Sequence, residues 1–509
     1  MIRINRSDGL RRVLGLVVLM GLLAGCGGGS TGGAATVAAP NSSSAAVTTS
    51  APTIGCWSAA QAASAPALVA AGQALFFDTS LSASGRQACA TCHVPSRAYT
   101  GDPATNDGLP VPVGGANLDL PGFRNAPSLD YACYTPAFLI ASGNTPTGGF
   151  FRDGRAASQA EQAQEPFITP FEMANVNAAE VVMRLEHSPA TLSKFEALYG
   201  AEVLEQPAVA LRDIGLAIAA FEKTPPFHSF SSKYDYWLEG KAQLTPMELE
   251  GLKLFNDPSK GNCNACHVSH AESYSSQALF TDFTYDNIGV PRNWSIPANQ
   301  PDPVSPVDGV PLNYIPTPID VPADAEYAWY DLGLCGPFQS ASVDSAPRVS
   351  LSATTGFCGL FKVPTLRNIA ITAPYFHNGV FDTLRQVLEW YVTRDINNDP
   401  DNNPTPVPAG PDGNQYAPVG TFYTTADGTP DQYEYNDLPV EYDANVNIGE
   451  VPYTPPKIGG GQAPTLTSDE INDIVAFLCT LTDGYDPTKP SAYNWPAQCQ
   501  AVESSTAVQ

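Results

Sequence analysis

Basic residues are scarce in this chain: 25 lysines and arginines stand against 51 acids, a formal charge of -26 over 509 residues. That balance excludes nucleic acid as a partner and offers no attraction to an anionic membrane surface. A basic or locally positive protein partner stays open, as does the plainer reading that the charge serves solubility. No apolar run after residues 13–24 approaches membrane-spanning length, so no mature transmembrane helix is expected. Histidine and methionine are few, 6 and 5, and their gaps matter: no histidine lies between His93 and His187, and no methionine follows Cys266.

What the chain does have is Cys89-Ala90-Thr91-Cys92-His93 and a second copy, Cys263-Asn264-Ala265-Cys266-His267. This is the pattern of c-type haem attachment: two thiols add to the haem vinyl groups, and the adjacent histidine is placed as an iron ligand. Structural zinc hooks sit closer together and do not need histidine in the next position each time. Two covalent haems are therefore expected, on Cys89, Cys92 and His93 and on Cys263, Cys266 and His267.

At the N-terminus, Arg3, Arg6, Arg11 and Arg12 precede the apolar run 13–24, which reads as the core of a signal peptide, 1–26. The run ends in Leu23-Ala24-Gly25-Cys26, which resembles the bacterial lipobox. Cys26 then becomes an acylated N-terminal residue, and the expectation is a periplasmic protein held to the outer membrane by lipid alone. Residues 27–55 form a flexible tether. Export to an oxidising compartment leaves six cysteines to pair. Chain proximity favours Cys335 with Cys358 and Cys479 with Cys499, leaving Cys56 with Cys133.

The fold class expected is mainly α, with two haem domains related by duplication and long irregular insertions. Gly72-Gln73-Ala74-Leu75-Phe76-Phe77-Asp78 leads into the first motif and Gly251-Leu252-Lys253-Leu254-Phe255-Asn256-Asp257 into the second. A helical pattern over 208–223 ends at Pro225 and Pro226, which places the join at 224–240 and the domains at 56–235 and 236–485, with a tail at 486–509. Thr245, Pro246 and Glu248 read as N-cap, first helical residue and N3. Thr467 and Glu470 make a second capping box ahead of a core helix. Insertions 297–344 and 397–461, rich in Pro, Asp, Asn and Gly, are functional or decorative.

A haem iron filled on both sides passes electrons, whereas one left open binds peroxide or oxygen. After His93 the only methionines before the next histidine are Met173 and Met183, so an open first haem is expected. The following stretch brings Phe151, Arg152, Asp153 and Arg155, then Gln162, Pro166 and Pro170-Phe171-Glu172. Splitting an O–O bond needs a group that moves a proton from one oxygen to the other, and a carboxyl in a mostly apolar pocket suits this. For the second haem the ligand candidates are His270, His377 and Tyr391. Asp382 or Thr383 caps a helix in which Leu384, Val387, Leu388 and Tyr391 share one side, so Tyr391 is either a ligand or a core tyrosine. His187 and His228 read as satisfied or exposed side chains.

From about Gly72 to Asp483 the chain resembles the bacterial dihaem cytochrome c peroxidase and MauG family. The resemblance rests on both haem motifs, Arg124-Asn125-Ala126-Pro127-Ser128, Asp153-Gly154-Arg155, Phe361-Lys362-Val363-Pro364-Thr365-Leu366-Arg367-Asn368 and Thr372-Ala373-Pro374-Tyr375-Phe376-His377-Asn378-Gly379. It implies two cytochrome c-like domains with calcium between the haems. It also implies that Glu172 is the distal-pocket acid and Gln162 its neighbouring amide, and that Asn125, Thr372 and Pro374 are calcium ligands. Tyr391 matches the axial tyrosine of MauG-like members.

Two departures matter. The histidine loop that caps the resting first haem in reductively activated peroxidases is missing, and Arg152 stands where the family has a tryptophan between the haems. The expected activity is a hydrogen peroxide-dependent oxidoreductase with an open first haem, the second haem passing electrons or storing oxidising equivalents. A MauG-like enzyme would oxidise a protein substrate. A conventional cytochrome c peroxidase would draw electrons from a small redox protein, and a plain dihaem electron carrier is the non-enzymatic alternative.

Overall fold

In the computed structural model, residues 55–141, 145–301, 329–336, 355–395, 435–453 and 464–500 are described, with short stretches between 423 and 462. The signal peptide, Cys26, the tether up to residue 54, parts of both insertions and residues 501–509 lie outside the described residues. The helices that build the two halves are α1 (Pro66–Phe77), α2 (Gln159–Gln162), α3 (Ala178–Glu186), α4 (Pro189–Tyr199), α5 (Pro207–Glu222), α6 (Lys233–Leu238), α7 (Pro246–Asn256), α8 (Leu384–Thr393) and α9 (Ser468–Cys479). Strands are short antiparallel pairs, such as Tyr285–Asp286 against Phe361–Lys362. The mainly α expectation holds, and no described helix is long and apolar enough to cross a membrane.

Each half is built on one helix crossing. In the first, α1 meets α5 at Gly72, where a Cβ would lie 1.9 Å from the Ala217 carbonyl oxygen and 3.0 Å from Phe221 Cβ. In the second, α7 meets α9 at Gly251, where a Cβ would lie 1.9 Å from the Asp473 oxygen and 2.9 Å from Phe477 Cβ. Glycine costs roughly 0.5–1 kcal/mol inside a helix, so two at matching places reflect a shared need for backbone contact. Leu75 and Phe76 in one half and Leu254 and Phe255 in the other are buried in the two main cores. Gly251→Ala gains helix propensity but drives a methyl group into a rigid carbonyl, so a net loss of about 1–3 kcal/mol is expected. Thermal or denaturant unfolding checks this, and unchanged stability would show that the crossing can relax.

The duplication extends beyond the helices. After each motif a residue in left-handed backbone, Tyr99 (φ 54°) or Phe280 (φ 55°), is followed by a buried threonine. Thr100 donates to the Ala126 carbonyl at 2.6 Å and Thr281 to that of Val363 at 2.7 Å. Ser128 returns a hydrogen bond to Ala98 and Thr365 to Leu279, both at 2.5 Å. Thus Ala126-Pro127-Ser128 and Val363-Pro364-Thr365 are one structural element used twice.

The halves touch through equivalent positions. Asn368 donates to Asp130 Oδ2 at 2.8 Å, and the Arg367 guanidinium lies 5.6 Å from the Tyr131 ring centroid. Tyr131 donates to Asp483 Oδ2 at 2.8 Å. Phe227 belongs to the first core and Tyr234, on α6, to the second, so the chain passes between halves at residues 228–232.

The capping boxes at Thr245 and Thr467 form as expected, and Thr383 rather than Asp382 caps α8. All three expected disulfides form: Cys56–Cys133, Cys335–Cys358 and Cys479–Cys499. The described part of the tail is tied down, with Gln498 donating to Tyr375 Oη at 2.6 Å and to the Ala370 carbonyl at 2.7 Å. Described residues of insertion 297–344 pack onto the rest of the fold. Asp331 pairs with Arg124 at 2.6 Å, and Trp329 stacks on Phe123 at 4.9 Å.

Candidate active site

Both Cys-x-x-Cys-His motifs open onto one cavity of about 450 Å³, which Cys92, His93, Cys263, Cys266 and His267 line directly. Cys89, Cys92, Cys263 and Cys266 remain outside any disulfide. Burial pushes the thiols of Cys92, Cys263 and Cys266 up to about 12 and that of Cys89 higher still. They are therefore neutral thiols held beside a cavity.

The two histidines are set identically. His93 Nδ1 lies 2.8 Å from the Tyr99 carbonyl and His267 Nδ1 2.9 Å from that of Phe280. A carbonyl only accepts, so Nδ1 carries the proton and Nε2 keeps its lone pair for a metal. Burial holds both imidazoles below their ordinary value, which favours the neutral, ligating form. Thiols in pairs, a preset histidine and a shared cavity fit two covalently held haems.

Around the first motif the cavity wall carries Gln162, Phe171 and Glu172. Glu172 is fixed by its backbone: its N–H donates to Thr169 at 3.0 Å, and its carbonyl accepts from Gly115 at 2.9 Å. A Cβ at Gly114 would lie 2.2 Å from the Phe171 oxygen, so only glycine lets this turn press against its neighbour. Burial raises the Glu172 carboxyl above its ordinary value, against the pull of Arg155 and a hydrogen bond from Thr169. Arg155 is itself held by Glu165 at 2.9 Å and Asp153 at 3.1 Å, with its guanidinium 3.4 Å from the Phe151 ring centroid. Neither methionine of this half reaches the cavity: Met173 is packed in the core and Met183 is 46% exposed.

Beside the second motif, Tyr391 lines the cavity from α8, and burial together with Cys266 and Cys263 raises its phenol. Its ring stacks on Tyr453 at 5.6 Å, and the Arg394 guanidinium lies 3.9 Å from the other ring's centroid. His377 lines the cavity as well, but it is stacked on Phe361 at 3.8 Å with Nε2 facing Asp437 at 3.3 Å. His270 is exposed and outside the cavity wall. His187 is bound to the Met183 carbonyl and His228 to that of Lys223.

Asn125, Thr372 and Pro374 also line the cavity. Asn125 Nδ2 donates to the Pro374 carbonyl at 2.5 Å, and Thr372 Oγ1 donates to Ile369 at 3.1 Å. Arg152 donates to the Asn125 carbonyl at 3.0 Å and Arg97 to that of Ala373 at 2.5 Å. The donors are the oxygen type calcium takes, yet they are neutral and flanked by two guanidinium groups.

Sequence reasoning gave no role to several wall residues, among them Glu222, Gln159, Lys362 and Tyr453. Glu222 is a buried acid, pushed up to about 7 by burial and bonded by Gln159 at 2.7 Å. It ends α5 right after Phe221, where the other half has Leu478 after Phe477, so pairing the two helices would have exposed it.

Residues 66–243 match the family described as di-haem cytochrome c peroxidase, a span that holds the first motif, Gln162 and Glu172. The chain is 36% identical to the methylamine utilization protein MauG of Paracoccus denitrificans over 325 residues, 64% of this chain and 74% of that one. It is 30% identical to the cytochrome c551 peroxidase of Nitrosomonas europaea over 322 residues, 62% and 70% of the two chains. The crystal structure of the diheme peroxidase BthA from Burkholderia thailandensis superposes with a TM-score of 0.65 at 33% identity, covering 85% of this chain and 90% of that one. With such identity spread across most of the length of proteins that share its architecture, the chain belongs to the dihaem cytochrome c peroxidase and MauG family of peroxide-dependent c-type oxidoreductases.

Proposed function

We propose that hydrogen peroxide reacts at the first haem, held by Cys89, Cys92 and His93, and that Glu172 and Gln162 serve that reaction. Cys263, Cys266 and His267 would hold the second haem, with Tyr391 of the same cavity as a further ligand, and that haem would pass electrons or store oxidising equivalents. One observation carries the reading: a desolvated carboxyl, Glu172, shares the cavity with His93, while Met173 and Met183 stay away from it. When bound, each haem supplies an iron that exchanges electrons, and an open side of that iron takes peroxide. Glu172 accepts the proton of one peroxide oxygen and delivers it to the other, which leaves as water. Gln162 offers an amide to orient the oxygens, and Phe171 and Phe151 keep bulk water away.

The MauG-like reading, oxidation of a protein substrate, is favoured by Tyr391 beside the second motif. Arg152, which removes the aromatic ring expected between the haems, weakens that reading and keeps the peroxidase reading, electrons from a small redox protein, as the alternative. Spectra recorded with one equivalent of peroxide decide between them. A change that persists for minutes supports the first, and rapid turnover only with a reduced cytochrome supports the second.

A join between the two haem domains within residues 224–240 and the lipid anchor at Cys26 complete the proposal, placing the enzyme in the periplasm. Cys26→Ser is expected to move the protein from the membrane to the soluble fraction on cell fractionation; retention in the membrane would dismiss the anchor. Calcium is proposed at Asn125, Thr372 and Pro374 with water completing the shell, weakly held because Arg97 and Arg152 lie beside it. Metal analysis after equilibration with calcium should find it, and a chelator should shift both haem spectra together. Spectra indifferent to chelator, with no calcium bound, would remove it.

A further inference from the structure

Arg152 and Lys362 stand side by side on the cavity wall, joined by a backbone hydrogen bond from Lys362 N to the Arg152 carbonyl at 2.8 Å. Arg152 Nε donates to the Asn125 carbonyl at 3.0 Å, and Lys362 Nζ to that of Gly149 at 2.5 Å. Among the described residues no carboxylate lies within ion-pair distance of either cation. The acids nearest them are engaged elsewhere: Asp331 on Arg124 at 2.6 Å, Asp153 on Arg124 at 2.8 Å and on Arg155 at 3.1 Å.

Three cations buried elsewhere among the described residues are matched. Arg367 has Asp235 at 2.7 Å, Arg394 has Asp395 at 2.7 Å, and Lys233 has Glu248 at 2.6 Å. In a chain with 51 acids and 25 bases, leaving two neighbouring cations without an acid is not a shortage of partners. Burial holds Lys362 down to about 7 and Arg152 to about 10, the latter helped by the like charge of Arg124. Both residues are partly buried, and a cation drawn out of bulk water without a counter-ion is costly, so the wall at this point calls for an anion.

The groups that fill the cavity bring one. Each haem carries two propionate carboxylates, and a guanidinium is the side chain best shaped to hold a carboxylate. We propose that Arg152 and Lys362 are the counter-charges for haem propionates, and that Arg152 fixes a positive charge between the two haem sites where its relatives are expected to place a tryptophan. The inference rests on the assignment of the two haem sites above. The residue that weakens the case for an aromatic relay thereby acquires an electrostatic role: a fixed cation beside the haems favours the reduced iron.

The test is a spectroelectrochemical titration of both haems in the intact protein without peroxide. In Arg152→Gln the midpoint potential of at least one haem should fall, by an amount equal to roughly a tenfold change in its oxidised-to-reduced ratio at fixed potential. Arg152→Lys should keep most of the wild-type value, and Lys362→Gln should shift in the same direction as Arg152→Gln. Covalent haem is counted in every sample. Fewer than two haems in the wild type would defeat the site assignment. Two haems with potentials unmoved in Arg152→Gln, or in Lys362→Gln where the first variant does not fold, would overturn the propionate pairing alone.

Discussion

Replacing Glu172 with glutamine is expected to slow the reaction with hydrogen peroxide by about 10²- to 10⁴-fold while both haems stay attached. Glutamine keeps the size of the side chain and loses only the ability to carry the proton. The carboxyl sits where burial raises it above its ordinary value, with Arg155 and Thr169 pulling it back, which moves it toward the operating range of an acid–base group. The ionised form must take the first proton, so the wild-type rate should rise with pH through the raised value, and this limb should vanish in Glu172→Gln. Stability separates function from misfolding. The folded protein binds the Glu172 proton more tightly than the unfolded chain, so ionisation weakens the fold as pH rises through the raised value. Above it the variant should be at least as stable as the wild type, and at acid pH the two should match. Stopped-flow mixing across pH and parallel unfolding curves measure both, and unchanged peroxide kinetics would remove Glu172 from the mechanism.

Tyr391→Phe is expected to convert the second haem wholly from low spin to high spin, leaving the spectrum of the first unchanged. The hydroxyl is the only atom removed, and the ring can keep its contacts with Tyr453 and Trp390. No methionine follows Cys266, His377 is turned to Phe361 and Asp437, and His270 is exposed and outside the cavity wall. A phenolate favours the more oxidised iron, so its loss should also raise the midpoint potential of the second haem. Electron paramagnetic resonance of the ferric protein reads the spin change. A persisting low-spin signal would assign the ligand elsewhere and leave Tyr391 as a core tyrosine.

Much of this site was legible because its signals are local. A Cys-x-x-Cys-His motif, a Thr-Pro-x-Glu cap or a glycine at the same place in two helices needs only neighbouring residues to be read. Cysteine pairing followed from chain proximity for the same reason. What stayed hidden depends on packing across long separations. Ala126-Pro127-Ser128 and Val363-Pro364-Thr365 share only the proline, so their equivalence shows only once Thr100 and Thr281 are seen bonded to them. Glu222 looked like the polar end of a helix, and Tyr453 lay in an insertion whose role its composition left open. Lys362 was visible as part of a motif, but its lack of an acid partner is a property of the folded wall.

The contact between the halves pairs position 130 with 368 and position 367 with 131, which is the pattern a two-fold rotation produces. In a symmetric dimer such a self-complementary patch binds a second copy of itself, but any change made in one site is made in both. Joined in a single chain, the patch keeps its geometry and loses that restriction. An acid at position 172 and a tyrosine at position 391 can then differ without being imposed on the opposite haem. Covalent linkage is thus what permits a division of labour between two sites that the fold itself builds alike.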